Sequence, residues 1–207
     1  MKKNIQVEKR SLATQLYESI KTMILRGELK GGDRIPEETL AKKFGVSRTP
    51  IREAIRRLDE YGIIKLIPRS YAEVISITEE EANDVILIRR ELETLAIKIL
   101  VEKVNGNDIT ALKRLSSICK KEFKANHPAK VFESDSSFHL EIALRTGNNP
   151  LFETLERLDA KIQLIRLMQC STPENIKSNL DFHDEIITAL ETKNANEAIK
   201  LIKAHIN

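Results

Sequence analysis

The stretch that most constrains this 207-residue chain runs from Pro36 to about Tyr61. Two short helical segments lie there on either side of a tight turn. Pro36 opens the first, which closes at Gly45; Val46-Ser47-Arg48-Thr49-Pro50 turns into the second, which stops at Gly62. In the second segment Ile51, Ala54, Ile55 and Leu58 recur at helical spacing and form an apolar stripe that must be covered. A longer helix is predicted before the pair, from Ser11 to Arg26. It carries Leu12, Leu16, Ile20, Met23 and Ile24, with Ser11 able to cap its start and Gly27 to end it. After the pair, residues 63–66 and 72–77 read as two short strands joined by residues 67–71. Helix, short helix, tight turn, helix and hairpin is the order of a winged helix-turn-helix, here spanning residues 9–77.

Residues 78–207 read as helix throughout. Thr78 with Glu81 forms a capping box that marks the boundary. Helices are predicted over 79–103, 108–125, 129–145, 150–168, 173–191 and 195–206, punctuated by Asn-, Gly- and Pro-containing turns. Aromatic residues make up only 4% of the chain, so the core is chiefly Ile and Leu, which suits helices packed on helices. The expected architecture is therefore mainly α: a small winged domain followed by an all-α bundle.

Charge divides along the same line. Residues 1–77 hold 16 Lys and Arg against 10 Asp and Glu, and residues 78–207 hold 18 against 21. A basic first third suggests a polyanionic partner for that third alone. Within it, Arg48, Arg52 and Arg56 stand at i, i+4 and i+8, away from the apolar stripe of their helix. The B-DNA major groove accepts one α-helix, and the Arg fork matches guanine O6 and N7. Ser47 and Thr49 add small donors at the helix mouth, where free backbone N–H groups also bind phosphate.

Three histidines and one aspartate lie on apolar helical faces of the second domain. Asp135 and His139, four apart, share a stripe with Val131, Phe138 and Ile142. His183 precedes Ile186, Ile187 and Leu190, and His205 follows Ala198, Leu201 and Ile202, both in phase. Burying these four groups unpaired costs on the order of several kcal/mol. A divalent transition metal would satisfy all four, zinc first, with nickel, manganese or iron as alternatives. Ordinary hydrogen-bonded core histidines are the competing reading. His127, in Asn-His-Pro, reads as a loop residue.

Residues 40–58, Leu-Ala-Lys-Lys-Phe-Gly-Val-Ser-Arg-Thr-Pro-Ile-Arg-Glu-Ala-Ile-Arg-Arg-Leu, resemble the DNA-binding signature of the GntR family. The resemblance implies that Ser47, Arg48, Thr49 and Arg52 contact an operator, with Arg34 assisting from the preceding loop. The family's Arg-Gly wing tip is replaced here by Pro68-Arg69-Ser70-Tyr71-Ala72, which leaves Arg69 as the wing's candidate contact. Residues 78–207 resemble the FCD-type effector domain of the FadR subgroup. Asp135-Ser136-Ser137-Phe138-His139 matches its Asp-x-x-x-His element, Gly147-Asn148-Asn149-Pro150-Leu151 its Gly-Asn-Pro turn, and Arg89-Arg90-Glu91-Leu92-Glu93 its Arg-x-x-Leu-Glu element. The resemblance implies that His183 and His205 complete the metal site and that a small carboxylate effector binds there. Arg89 would grip that anion or pair with Glu93.

Other function classes fit less well. No apolar run approaches the roughly 20 residues of a membrane span. Residues 1–10 lack the apolar segment of a signal peptide. Cys119 and Cys170 match neither a disulfide framework nor a Cys-x-x-Cys site, which suits a reducing cytoplasm. A metal-dependent enzyme on the same ligands is the alternative class, but no His-Glu-x-x-His exists and Glu185 is a weak candidate base. The expected protein is a cytoplasmic, homodimeric transcriptional repressor with no enzyme activity, reading a pseudo-palindromic operator under effector control. A DNA-binding protein whose helical domain only dimerises is the other alternative.

Overall fold

The computed structural model describes residues 11–68, 70–168 and 173–206. Among the described residues the fold is nine helices and one two-stranded antiparallel sheet, the mainly helical class expected. The chain divides into two compact units, one ending at Ser76 and the other beginning at Ile77.

The first unit holds α1 (Leu12–Leu25), α2 (Glu37–Phe44), α3 (Arg48–Glu60), β1 (Ile64–Leu66) and β2 (Ala72–Val74). Ser11 caps α1 by accepting from the Thr14 amide. Leu16, Tyr17, Ile20 and Ile24 of α1 bury against α3, whose Ile51, Ala54, Ile55 and Leu58 are wholly enclosed. Leu12 is a correction to the expected stripe: it stays half exposed, a full turn before the first buried residue of its helix. Gly45 closes α2 at φ +65°, a left-handed conformation that a side chain rarely tolerates and that lets the chain turn into α3. In the hairpin Ile64 pairs with Val74, Lys65 with Glu73 and Leu66 with Ala72. The loop before α2 runs along the other edge of β2: Gly32 and Ile35 donate to the Val74 and Ala72 carbonyls, and Val74 donates to Asp33. The hairpin and α2 are thereby fixed to each other.

The second unit holds α4 (Glu79–Lys103), α5 (Gly106–Lys124), α6 (Pro128–Arg145), α7 (Asn149–Met168), α8 (Pro173–Glu191) and α9 (Ala195–His205). Both bonds of the Thr78–Glu81 capping box are present. A second box, Asn105 with Asp108, starts α5 two residues earlier than periodicity suggests. α6 packs on α4, α5 and α7, while α9 packs on α4 and α8. Their shared core is aliphatic, built on Ile97, Leu100, Leu112, Ile142, Ile186, Leu190 and Ile202 around Phe138.

Candidate functional site

The first unit presents its cationic groups on the solvent side of α3. The buried stripe fixes the roll of the helix, so Arg48, Arg52 and Arg56 face outward. Ser47 is the N-cap residue of α3, yet its side chain makes no capping hydrogen bond. Its hydroxyl and the first backbone N–H groups of α3 are free for an anionic ligand. Two of the three arginines are held. Arg52 Nε donates to Glu37 at 2.9 Å, and Arg48 Nη2 donates to Glu38 at 2.5 Å. Arg34 bridges Glu73 through its backbone and lays its guanidinium over the Tyr71 ring, 4.0 Å from the centroid. Thr49 is exposed at the mouth of α3. Arg69 lies outside the described residues, as does Cys170.

The second unit brings Asp135, His139, His183 and His205 together from α6, α8 and α9. All four are buried, and one ligand atom from each falls within 4.8 Å of the others. His183 Nε2 lies 3.0 Å from Asp135 Oδ1, and His139 Nε2 lies 2.9 Å from His205 Nε2. Phe138 stacks on the His183 ring with centroids 4.0 Å apart, which sets the ring's plane.

Two further residues orient the cluster, and sequence reasoning assigned neither to it. Glu93 on α4 lies 2.5 Å from His139 Nδ1 and accepts Arg89 Nε at 2.6 Å. Arg166 on α7 pairs with Asp135 Oδ2. Glu93 precedes Ile97 and Leu100 by four and seven, so its place on the buried face of α4 was readable. Arg166 follows Ile162 by four, a charge on an otherwise apolar face. What the sequence does not show is the partner each finds on another helix.

The electrostatics prepare ligands. Burial alone would raise the Asp135 pKa, but Arg166 and His139 outweigh it and hold the carboxyl well below its usual range. Burial likewise opposes charge on Glu93, and Arg89 with His139 overcomes it, so Glu93 is an anion that can only accept. His139 Nδ1 therefore carries a proton and donates. Its Nε2 then carries a second proton and donates to His205, accepts from the His205 Nε2–H, or presents its lone pair to a cation. Burial works against charge on His139, but Glu93 and Asp135 prevail and its pKa is raised. Burial pushes His183 and His205 down, keeping both neutral. His183 Nδ1 and His205 Nδ1 have no hydrogen-bond partner among the described residues. Three imidazoles and a carboxylate, buried and convergent, are a donor set that fits a divalent transition metal.

A cavity of about 300 Å³ opens beside the cluster. Arg89, Asp135, Arg166 and the neutral His205 form its polar side, and Ile162, Ile165 and Ile176 are among its apolar walls. Arg89 thus both pairs with Glu93 and lines the cavity. Glu185 lies on the exposed side of α8, away from the buried His183. No described helix is long and apolar enough to cross a membrane.

Known proteins match this arrangement along its length. The bacterial regulatory proteins of the gntR family match residues 12–74, and the FCD domain matches residues 84–207. An uncharacterized HTH-type transcriptional regulator of Bacillus subtilis, YdhC, is 30% identical over 93% of this chain and 87% of its own. The gluconate operon transcriptional repressor of Bacillus licheniformis is 28% identical over 87% of this chain and 76% of its own. The solved structure of Escherichia coli McbR/YncC superposes with a TM-score of 0.82 at 24% identity, covering 95% of this chain and 93% of that one. The chain therefore belongs to the GntR family of bacterial regulatory proteins, a transcriptional regulator with an FCD domain behind its winged helix-turn-helix.

Proposed function

We propose that this regulator is a homodimeric repressor, acting in the cytoplasm, whose hold on a pseudo-palindromic operator is set by a small carboxylate bound beside a divalent metal in the helical unit. The observation that carries the reading is the convergence of Asp135, His139, His183 and His205, with Glu93 fixing the His139 tautomer. A carboxylate that accepts the far N–H of a ligating imidazole orients the ring and raises its basicity.

On the DNA side, α3 enters the major groove. Arg48, Arg52 and Arg56 reach base edges and phosphates, and Ser47, Thr49 and the helix mouth grip backbone. Arg34 and Arg69 extend the contact from the loop before α2 and from the wing. On the regulatory side, Asp135, His139, His183 and His205 hold the metal, zinc first among the candidates. When bound, it supplies a Lewis-acidic centre with room for an anionic oxygen. Arg89 and Arg166 add positive charge on the same cavity wall, which suits a carboxylate. That one relative is a repressor of the gluconate operon keeps a hydroxy acid among the effectors to try.

Homodimer formation is supported by α4. Ile88, Leu92, Leu95 and Ile99 stand at i, i+4, i+7 and i+11, and Ile88 and Leu95 are exposed. Two copies would set two recognition helices in successive major grooves. The effector acts through its different affinity for the DNA-competent and incompetent arrangements.

Elemental analysis and zinc titration of the full chain test the reading. Wild type is expected to take about one zinc per chain, and His183→Ala to lose it while keeping its helical circular dichroism. Carboxylates are then screened for release of the wild type from its operator. Absence of zinc binding in wild type at micromolar metal would overturn the metal and effector reading and leave the bundle as a dimerisation module.

A further inference from the structure

We propose that Glu37 and Glu38 are specificity-determining positioning residues: they hold Arg52 and Arg48 aimed for base edges and keep those guanidiniums from settling on phosphates of any sequence. The inference rests on the reading that α3 enters the major groove. Its evidence is a one-to-one pairing. The two residues that open α2 reach two different arginines of the recognition helix, Glu37 to Arg52 Nε at 2.9 Å and Glu38 to Arg48 Nη2 at 2.5 Å. Glu38 also holds Lys42 at 3.1 Å.

Stability does not account for the pairing. The side chains of Arg48 and Arg52 are 54% and 60% exposed, and exposed pairs contribute little to folding. Acidic residues do favour a helix N-terminus through the backbone dipole. That role needs only their charge and is indifferent to where their carboxylates reach. The geometry has a consequence for binding. A free arginine loses rotamer entropy when it docks, and a held one has lost it already. With Nε occupied by Glu37, the two terminal nitrogens of Arg52 remain to meet the two acceptors of a guanine edge, whereas Arg48, held through Nη2, has one of its terminal nitrogens already engaged. The adjacent carboxylate meanwhile repels a phosphate that comes to the same guanidinium. A base edge is tolerated beside the glutamate, whereas a backbone oxygen is penalised.

The test is a pair of equilibrium titrations on the full-length protein, against its own operator and against a random duplex of equal length. Glu37→Gln with Glu38→Gln removes both holds and keeps side-chain size. Glu18→Gln with Glu60→Gln changes net charge equally at two exposed positions of the same unit. Each lost hold should raise random-duplex affinity about threefold, the scale of one exposed charge pair. The double variant should therefore lose about tenfold in the ratio of operator to random affinity, with a steeper salt dependence on random duplex as the freed arginines find phosphates. The control variant should shift both affinities together and leave the ratio unchanged. The single variant Glu37→Gln reads the Arg52 half alone and stands in if the double variant melts early. An unchanged ratio in the glutamine variants, or an equal loss in the control, would overturn the inference while leaving DNA recognition intact. A wild type with no operator preference would overturn the DNA reading, and this inference with it.

Discussion

Arg52 meets Glu37 at 2.9 Å and Arg89 meets Glu93 at 2.6 Å, contacts of the same chemistry in opposite surroundings. The Arg52 side chain is 60% exposed and that of Arg89 8%. In water such a pair forms and breaks at little cost, because solvent compensates each partner when they part. The contact on α3 thus adds little to folding and biases an exposed guanidinium toward one position. In the bundle the same pair has no solvent to fall back on, and losing one member strands the other. Arg89, Glu93 and His139 therefore form a fixed chain that ends at the candidate metal ligands. One kind of contact is thus adaptable on the exposed face of α3 and permanent inside the bundle.

The largest expected effect tests the permanent half. Glu93→Ala removes the partner of a buried guanidinium and the acceptor that orients His139. It should cost about 3–5 kcal/mol in urea unfolding of the chelator-treated protein. A loss below about 1 kcal/mol would place this pair with the exposed ones and erase the contrast. The adaptable half predicts the reverse division. Arg52→Ala should leave urea unfolding within about 0.5 kcal/mol of wild type and weaken operator binding by about 1–3 kcal/mol in a fluorescence titration. Equal loss on operator and random duplex would reassign Arg52 from base edge to phosphate.

The contrast also explains what the sequence disclosed. Helix positions were legible because their signals are local: Thr78 and Glu81 are three apart, and the His139 stripe repeats every three or four residues. The four candidate ligands were legible for the same reason, since each is a polar residue in phase with apolar neighbours. The contacts that organise them were not. Glu93 and His139 are 46 residues apart, and Arg166 reaches Asp135 from a different helix. Glu37 and Glu38 read as an acidic helix start until folding carries them to α3, because short-range periodicity holds no record of which side chains meet across helices. In the sequence Asn105 reads as turn punctuation and Asp108 as the first residue of its helix. A capping box on Asn with Asp is the less usual form of that signal, and it moved the start of α5 to Gly106.

Between the extremes stands Asp108, a buried carboxylate that accepts from the Asn105 amide at 2.9 Å and pairs with the half-buried Arg145. Burial pushes its pKa up, but the Arg145 and Asn105 hydrogen bonds prevail and its pKa is lowered. A carboxyl with a lowered folded pKa adds stability above its unfolded pKa and loses it as pH falls through the folded one. Asp108→Asn should therefore cost about 1 kcal/mol at pH 7. Its deficit against wild type should shrink on acidification below about pH 4, where the unfolded carboxyl begins to bind its proton. Urea midpoints at pH 7 and pH 3 read this directly. A deficit that is constant with pH would mean that shape at the start of α5, and not charge, is what Asp108 supplies.

The smallest effect is the most discriminating, and it concerns Arg56. This arginine shares the outer face of α3 with Arg48 and Arg52 but has no carboxylate partner among the described residues. If partners mark the arginines that read bases, Arg56 is a phosphate contact. Arg56→Ala should then weaken operator and random duplex by the same factor, leave their ratio untouched, and reduce the salt slope by about one. Arg52→Ala in the same assay should lower the ratio. Finding instead that Arg56→Ala lowers the ratio as much as Arg52→Ala would show that unheld arginines on this helix also read sequence. The exposed ion pairs would then be incidental to recognition, and the contrast between the two units would reduce to burial alone.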